Sequence, residues 1–128
     1  EISDEQRRVM DAMSEAGTVT IDALGQGQSC TQVNEAALTA IHDADLGDTI
    51  RHRIGHGMGV EGHEAPWLAP GDETLAAPGM VFSCEPGVYR PGLDGWRTID
   101  TLIVGQDRVE LASRFLTRHP PESRVLAC

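Results

Sequence analysis

Apolar residues recur three and four positions apart up to Gly47, and after it that spacing disappears. Val9, Met10, Met13, Ala16, Thr20, Ile21 and Leu24 make one stripe. Val33, Ala36, Ala37, Ala40, Ile41 and Ala44 make a second, with Asp43, Asp45 and Asp48 away from it. Residues at those spacings share a face of an α-helix, so each stripe predicts a helix with one face to bury. Ser3 followed by Gln6 has the form of a capping box that starts the first helix, and Gly25-Gln-Gly27 ends it. The second helix is expected to start near Thr31 and to close at Gly47.

Beyond Gly47, glycine, proline and β-branched residues take over. The apolar runs shorten to Gly79–Cys84, Thr98–Val104 and Arg108–Leu111. These read as strands, separated by turns at Glu85-Pro-Gly87 and Pro91-Gly-Leu-Asp-Gly95. Helices first and strands afterwards indicate an α+β fold, with an antiparallel sheet backed by two helices. One domain is expected over 1–128: helices over about 3–47, sheet over about 49–111 and an irregular tail over 119–128.

With 128 residues, 40% of them hydrophobic, the chain can bury one core. A net charge of −10 without a Lys/Arg cluster argues against nucleic acid and against an anionic membrane surface. No run of about 20 apolar residues is present, so no membrane span is expected. The opening Glu-Ile-Ser-Asp-Glu-Gln does not read as a signal peptide. Cys30, Cys84 and Cys128 are far apart and include no Cys-x-x-Cys pair. They suggest neither a disulfide framework nor a zinc knuckle, and a reducing cytoplasm is the expected compartment.

The densest chemistry lies in His52-Arg-Ile-Gly-His-Gly-Met-Gly-Val-Glu-Gly-His-Glu64, where three histidines, four glycines and two glutamates occupy thirteen residues. Glycine lets backbone approach closely, which a crowded polar site requires. If 52–58 is extended, His52, Ile54, His56 and Met58 share a face, with the two imidazoles about 6.5–7 Å apart at the backbone. Such a pair suits a metal or a ligand carboxylate. Glu85 ends an apolar strand before Pro-Gly, a fixed position for a ligand or a base; its simpler reading is a turn glutamate facing water. His42 and His119 read as ordinary structural histidines. Trp67 and Trp96 read as packing or cleft-mouth residues, Cys84 as a small core hydrophobe, and Arg7 and Arg8 as helix-surface charges.

In order along the chain, the 52–64 stretch, Pro78-Gly-Met-Val-Phe-Ser-Cys-Glu-Pro-Gly-Val-Tyr89 and Gly95-Trp-Arg-Thr-Ile-Asp-Thr101 resemble the pita-bread metallopeptidases. That family includes prolidase, aminopeptidase P, methionine aminopeptidase and creatinase. The resemblance runs from about Ser3 to Leu111 and implies the C-terminal portion of a pita-bread (creatinase/aminopeptidase) fold, a curved, mostly antiparallel sheet backed by two helices. It implies that His56 is an imidazole metal ligand and Glu85 the first of two glutamate ligands. It implies that His63 contacts substrate and helps stabilise the tetrahedral intermediate, that His52 lines the substrate pocket, and that Arg97 stands beside the last ligand. In such enzymes two divalent ions hold a hydroxide that attacks the peptide carbonyl.

The pattern departs from the family at Ile99, which stands at the place of the second glutamate ligand and cannot bind a metal. Asp100 is expected to face the opposite side of the strand. The family's two aspartate ligands precede the segment that matches this N-terminus, and Asp4, Asp11 and Asp22 fall on a predicted helix. The expectation is an Xaa-Pro peptidase-like protein with a reduced metal site, acting on a proline-containing peptide or a small carboxylate. No cofactor is expected in this chain alone; Mn2+, Co2+ or Zn2+ is expected where another chain completes the ligands. One alternative is a metal-independent, creatinase-like enzyme in which His56 and His63 move protons. Another is a non-catalytic binding or scaffold subunit. A sheet without its flanking strands has an open edge, so a homodimer or a partner subunit is expected to cover it.

Overall fold

The computed structural model describes residues 2–112. Two helices come first. α1 spans Asp4–Gly25, and its capping box is formed: the Ser3 side chain accepts from Gln6 N while the Gln6 side chain accepts from Ser3 N. α1 ends where expected, with Gly27 beyond it at φ +68°, a left-handed conformation that favours glycine. α2 spans Cys30–Asp43, and Ser29 and Gln32 form a second capping box. It stops short of Gly47, because Asp45 turns the chain at φ 60° and a 3-10 turn follows at Gly47–Thr49.

The strands are β1 (Gly55–Gly57), β2 (Glu64–Leu68), β3 (Val81–Cys84), β4 (Gly87–Arg90), β5 (Asp94–Arg97), β6 (Asp100–Val104) and β7 (Val109–Leu111). Five of them form an antiparallel sheet in the order β2-β1-β3-β6-β7. The other two, β4 and β5, make a separate hairpin. The expected turn at Pro91–Gly95 is the bend of that hairpin. The expected turn at Glu85–Gly87 instead leads straight into β4, and β2 is a strand that no apolar run announces. The irregular tail expected over 119–128, with His119, lies outside the described residues.

The helices cover one face of the sheet, as the two stripes require. Val9, Met13, Leu24, Val33 and Ile41 from the helices meet Ile54, Leu68, Phe82 and Leu102, all at most 2% exposed. Each such side chain contributes about 1.5–3 kcal/mol by leaving water. Phe82 and Cys84 of β3 are core residues, and the residues alternating with them, Ser83 and then Glu85, belong to the cleft. Cys84, at 2% exposed, is the small core hydrophobe expected. Among the described residues no helix is long and apolar enough to cross a membrane.

Candidate functional site

β1 brings His56 into the sheet between two glycines. A Cβ on Gly55 would lie 1.9 Å from the Ser83 carbonyl oxygen, and one on Gly57 2.9 Å from the carbonyl oxygens of Ala65 and Glu64. Only glycine lets β1 come this close to both neighbours. In register, His56 stands opposite Ser83 on β3 and Trp67 on β2. It is 5% exposed.

Glu85 follows β3 directly, and its backbone N–H donates to the Ile54 carbonyl at 2.6 Å. Three groups converge on its carboxylate. The Ser83 hydroxyl donates to Oε1 at 2.5 Å, His56 Nε2 lies 3.0 Å from the same oxygen, and Arg97 Nη1 lies 3.8 Å from Oε2. Burial pushes the Glu85 carboxyl up, but the Ser83 and His56 hydrogen bonds and the His56 and Arg97 charges outweigh it and hold the group below its ordinary range.

His63 completes the cluster. The chain turns back between β1 and β2, with Met58 N–H donating to the Val81 carbonyl and Glu61 N–H to the Glu64 carboxylate at 2.9 Å. This stacks the His63 ring on His56, centroids 4.0 Å apart and planes at 29°. One donor atom from each of His56, His63 and Glu85 lies within 4.8 Å of the others.

The protons on His56 follow from its partners. Nδ1 lies 2.9 Å from the Gly57 carbonyl, which can only accept, so Nδ1 carries a proton. In a neutral ring Nε2 then presents a lone pair to an ionised carboxylate at 3.0 Å. Two acceptors at that distance need a positive species between them, either a second proton or a metal ion. A ligating histidine whose other N–H is held by a backbone carbonyl is the usual arrangement at metal sites. The donor set of two imidazoles and a carboxylate also matches a catalytic divalent site. The residues therefore fit such an ion.

His52, His56, His63, Glu85 and Arg97, the five residues singled out in the sequence, line one cleft, and Arg53 lines it with them. The expected pairing changes. Residues 52–54 are not in a strand, so the imidazole beside His56 is His63, not His52. His52 is held by Tyr89, with Nε2 at 2.8 Å from the hydroxyl, while Nδ1 donates to the Arg53 carbonyl at 2.7 Å. Ile99 is 53% exposed. Asp100 lines a separate groove against α1, with Cys84 and Thr18. Ser83, Tyr89 and the Arg53–Trp67 contact went unread in the sequence. Ser83 alone had a signal, since it precedes Glu85 by two residues in a strand and so shares its face.

The model of metallopeptidase family M24 matches residues 1–106. An Xaa-Pro dipeptidase from Lactobacillus delbrueckii subsp. lactis is 36% identical over 107 residues, 84% of this chain and 29% of that protein. Dipeptidase PepE from Mycobacterium ulcerans superposes with a TM-score of 0.82 at 34% identity, over 87% of this chain and 30% of its own. Prolidase from Pyrococcus horikoshii OT3 superposes with a TM-score of 0.80 at 28% identity, over 87% and 32%. The two helices and antiparallel sheet are thus the pita-bread architecture. The chain spans about a third of the length of these relatives.

Proposed function

The chain belongs to metallopeptidase family M24, and on that premise we propose that it forms the histidine–glutamate part of an Xaa-Pro dipeptidase-type hydrolase site with a reduced metal complement. One observation carries this reading: His56 Nε2 meets the Glu85 carboxylate at 3.0 Å, with His63 stacked beside them. His56 and Glu85 would hold a divalent ion such as Mn2+, Co2+ or Zn2+, with His63 in reach as a third donor or as a group for the substrate. When bound, such an ion polarises a carbonyl and makes water a nucleophile at neutral pH. Ile99 offers only an alkyl group where a second glutamate would stand, which supports a site reduced from the two-metal arrangement.

The chain's own side chains do the rest. Ser83 and Arg97 orient Glu85 and keep it ionised, which preserves it as a ligand. His63 is the more exposed of the stacked pair and can donate a hydrogen bond to a developing oxyanion or to the leaving amine. Tyr89 fixes His52 as a wall of the cleft. The substrate class that fits is a short peptide with proline after the scissile bond.

A second reading rests on the same contact. If a proton rather than a metal lies between His56 and Glu85, the stacked imidazoles suit metal-independent acid/base chemistry. Calorimetric titration with Mn2+ separates the two. Binding tighter than about 10 μM, near −7 kcal/mol, that is lost in both His56→Ala and Glu85→Ala supports the metal site. Absence of binding for Mn2+, Co2+ and Zn2+ alike would end that reading and leave the proton-transfer one.

A further inference from the structure

Asn34 is fully buried on α2, on the face that also carries Val33, Ala37 and Ile41 into the core. Burying an amide among apolar side chains is costly unless its polar atoms find partners. Here only one of them does. Oδ1 accepts from the Ile54 backbone N–H at 3.2 Å, while Nδ2 makes no hydrogen bond among the described residues. The side chain therefore supplies a single acceptor, aimed from the helix layer at the residue that precedes β1.

Ile54 is also the residue that holds Glu85. Its carbonyl accepts from the Glu85 N–H at 2.6 Å, one position beyond the Gly55–Cys84 pair that ends the β1–β3 ladder. In a regular hydrogen-bonded antiparallel pair, both N–H groups bond across to the opposite carbonyl. Here Glu85 N–H does so, but Ile54 N–H turns out of the sheet to Asn34. Ile54 is thus fixed twice on the core side, by Asn34 and by its own side chain, which is 1% exposed. Pro86 confines Glu85, the residue before it, to extended torsions. The freedom left to Glu85 lies on its N–H side, where Ile54 meets it.

We infer that Asn34 is a positioning residue for this site. By holding the Ile54 N–H in the helix layer it sets the Ile54 carbonyl, and through that carbonyl the backbone from which the Glu85 carboxylate reaches His56. That Glu85 is a metal ligand rests on the reading under Proposed function; its placement through Ile54 does not.

The test uses Asn34→Leu, which fills the same space without an acceptor, Asn34→Asp, which keeps one, and Val33→Ala, a core loss at the neighbouring residue. Amide hydrogen exchange is followed by NMR in the metal-free chain, with Met58, bonded to the Val81 carbonyl, as internal reference. Asn34→Leu is expected to speed exchange at Ile54 and Glu85 by about tenfold or more relative to Met58. Calorimetry should show its Mn2+ affinity reduced by about tenfold or more. Asn34→Asp should follow the parent in both, and Val33→Ala should shift all three amides together while its Mn2+ affinity holds. Unchanged relative exchange in Asn34→Leu, the same selective change in Val33→Ala, or equal Mn2+ affinity in the parent and Asn34→Leu overturns the inference. So does an Asn34→Asp chain that loses the protection of Ile54 and Glu85, which decides the matter even if Asn34→Leu does not fold. If Mn2+ fails to bind the parent, the metal-site reading fails, and the exchange pattern alone decides the role of Asn34.

Discussion

His56 Nε2 and Glu85 Oε1 lie 3.0 Å apart although 29 positions separate them in the chain. The contact ties the acid stability of the fold to its candidate site. The Glu85 carboxyl titrates below its ordinary value in the folded chain, so it contributes stability that is complete above that value. That stability is lost as pH falls through the lowered folded value. Glu85→Ala is expected to cost about 1–3 kcal/mol at pH 7, because Ser83 and His56 lose their partner. It should also flatten the decline toward acid. Urea titrations from pH 7 to pH 3 check both, and a variant with the parent's slope would refute the linkage.

The glycines around His56 are not equivalent to those of the following loop. Gly55→Ala drives a Cβ into the Ser83 carbonyl oxygen on a strand flanked on both sides, and overpacking of this kind costs about 1–3 kcal/mol. Gly62→Ala meets nothing within 4 Å and should stay within about 0.5 kcal/mol of the parent. Chemical denaturation of the two variants side by side gives the comparison. Equal losses would mean that β1 has room to shift.

What was legible in the sequence is what is local. Helical period and the Ser3/Gln6 box placed α1, because both act within one turn. The Ser29/Gln32 box of α2 went unread, and the expected start at Thr31 lies one residue inside the helix. The hairpin of β4 and β5 was hidden because Pro86, Pro91, Gly92 and Gly95 read as breakers, although only the segment between the strands turns. β2 was hidden in the same way by Pro66. For the site, the motifs named His52, His56, His63, Glu85 and Arg97, and one cleft holds all five. Which imidazole meets His56 depends on the turn between β1 and β2, and the place of Arg53 depends on the pairing of His56 with Trp67. Neither is written in residue spacing.

Arg90 joins α1 to the hairpin. Its Nη1 lies 2.5 Å from Glu5 Oε1 and its Nε 2.6 Å from Asp94 Oδ1, with a further bond from Nη2 to Asp94. Hydrogen bonds from Arg8, and then from Arg90, hold the Glu5 carboxyl below its usual range, and the Arg90 bond does the same for Asp94. Both carboxylates therefore favour the folded state above their ordinary values and lose that effect as pH falls. Arg90→Ala should destabilise the chain at pH 7, less at pH 3, and less in about 1 M salt, where charges are screened beyond ~3 Å. Thermal melts under the three conditions test this, and a loss independent of pH and salt would mean that Arg90 acts through packing instead.

Cys30 and Cys84 should be inert thiols in the native chain. Burial pushes the Cys84 thiol up to about 12, against a weaker opposing hydrogen bond with Thr20, and pushes Cys30 up to about 11. At pH 8 the reactive thiolate is thus on the order of one part in a thousand or less at either position. Iodoacetamide at pH 8 followed by peptide mass mapping is expected to leave both unmodified in the folded chain and to label both in urea. Rapid native labelling of Cys84 would show that β3 opens to solvent, and since Glu85 follows it directly, the candidate ligand would open with it.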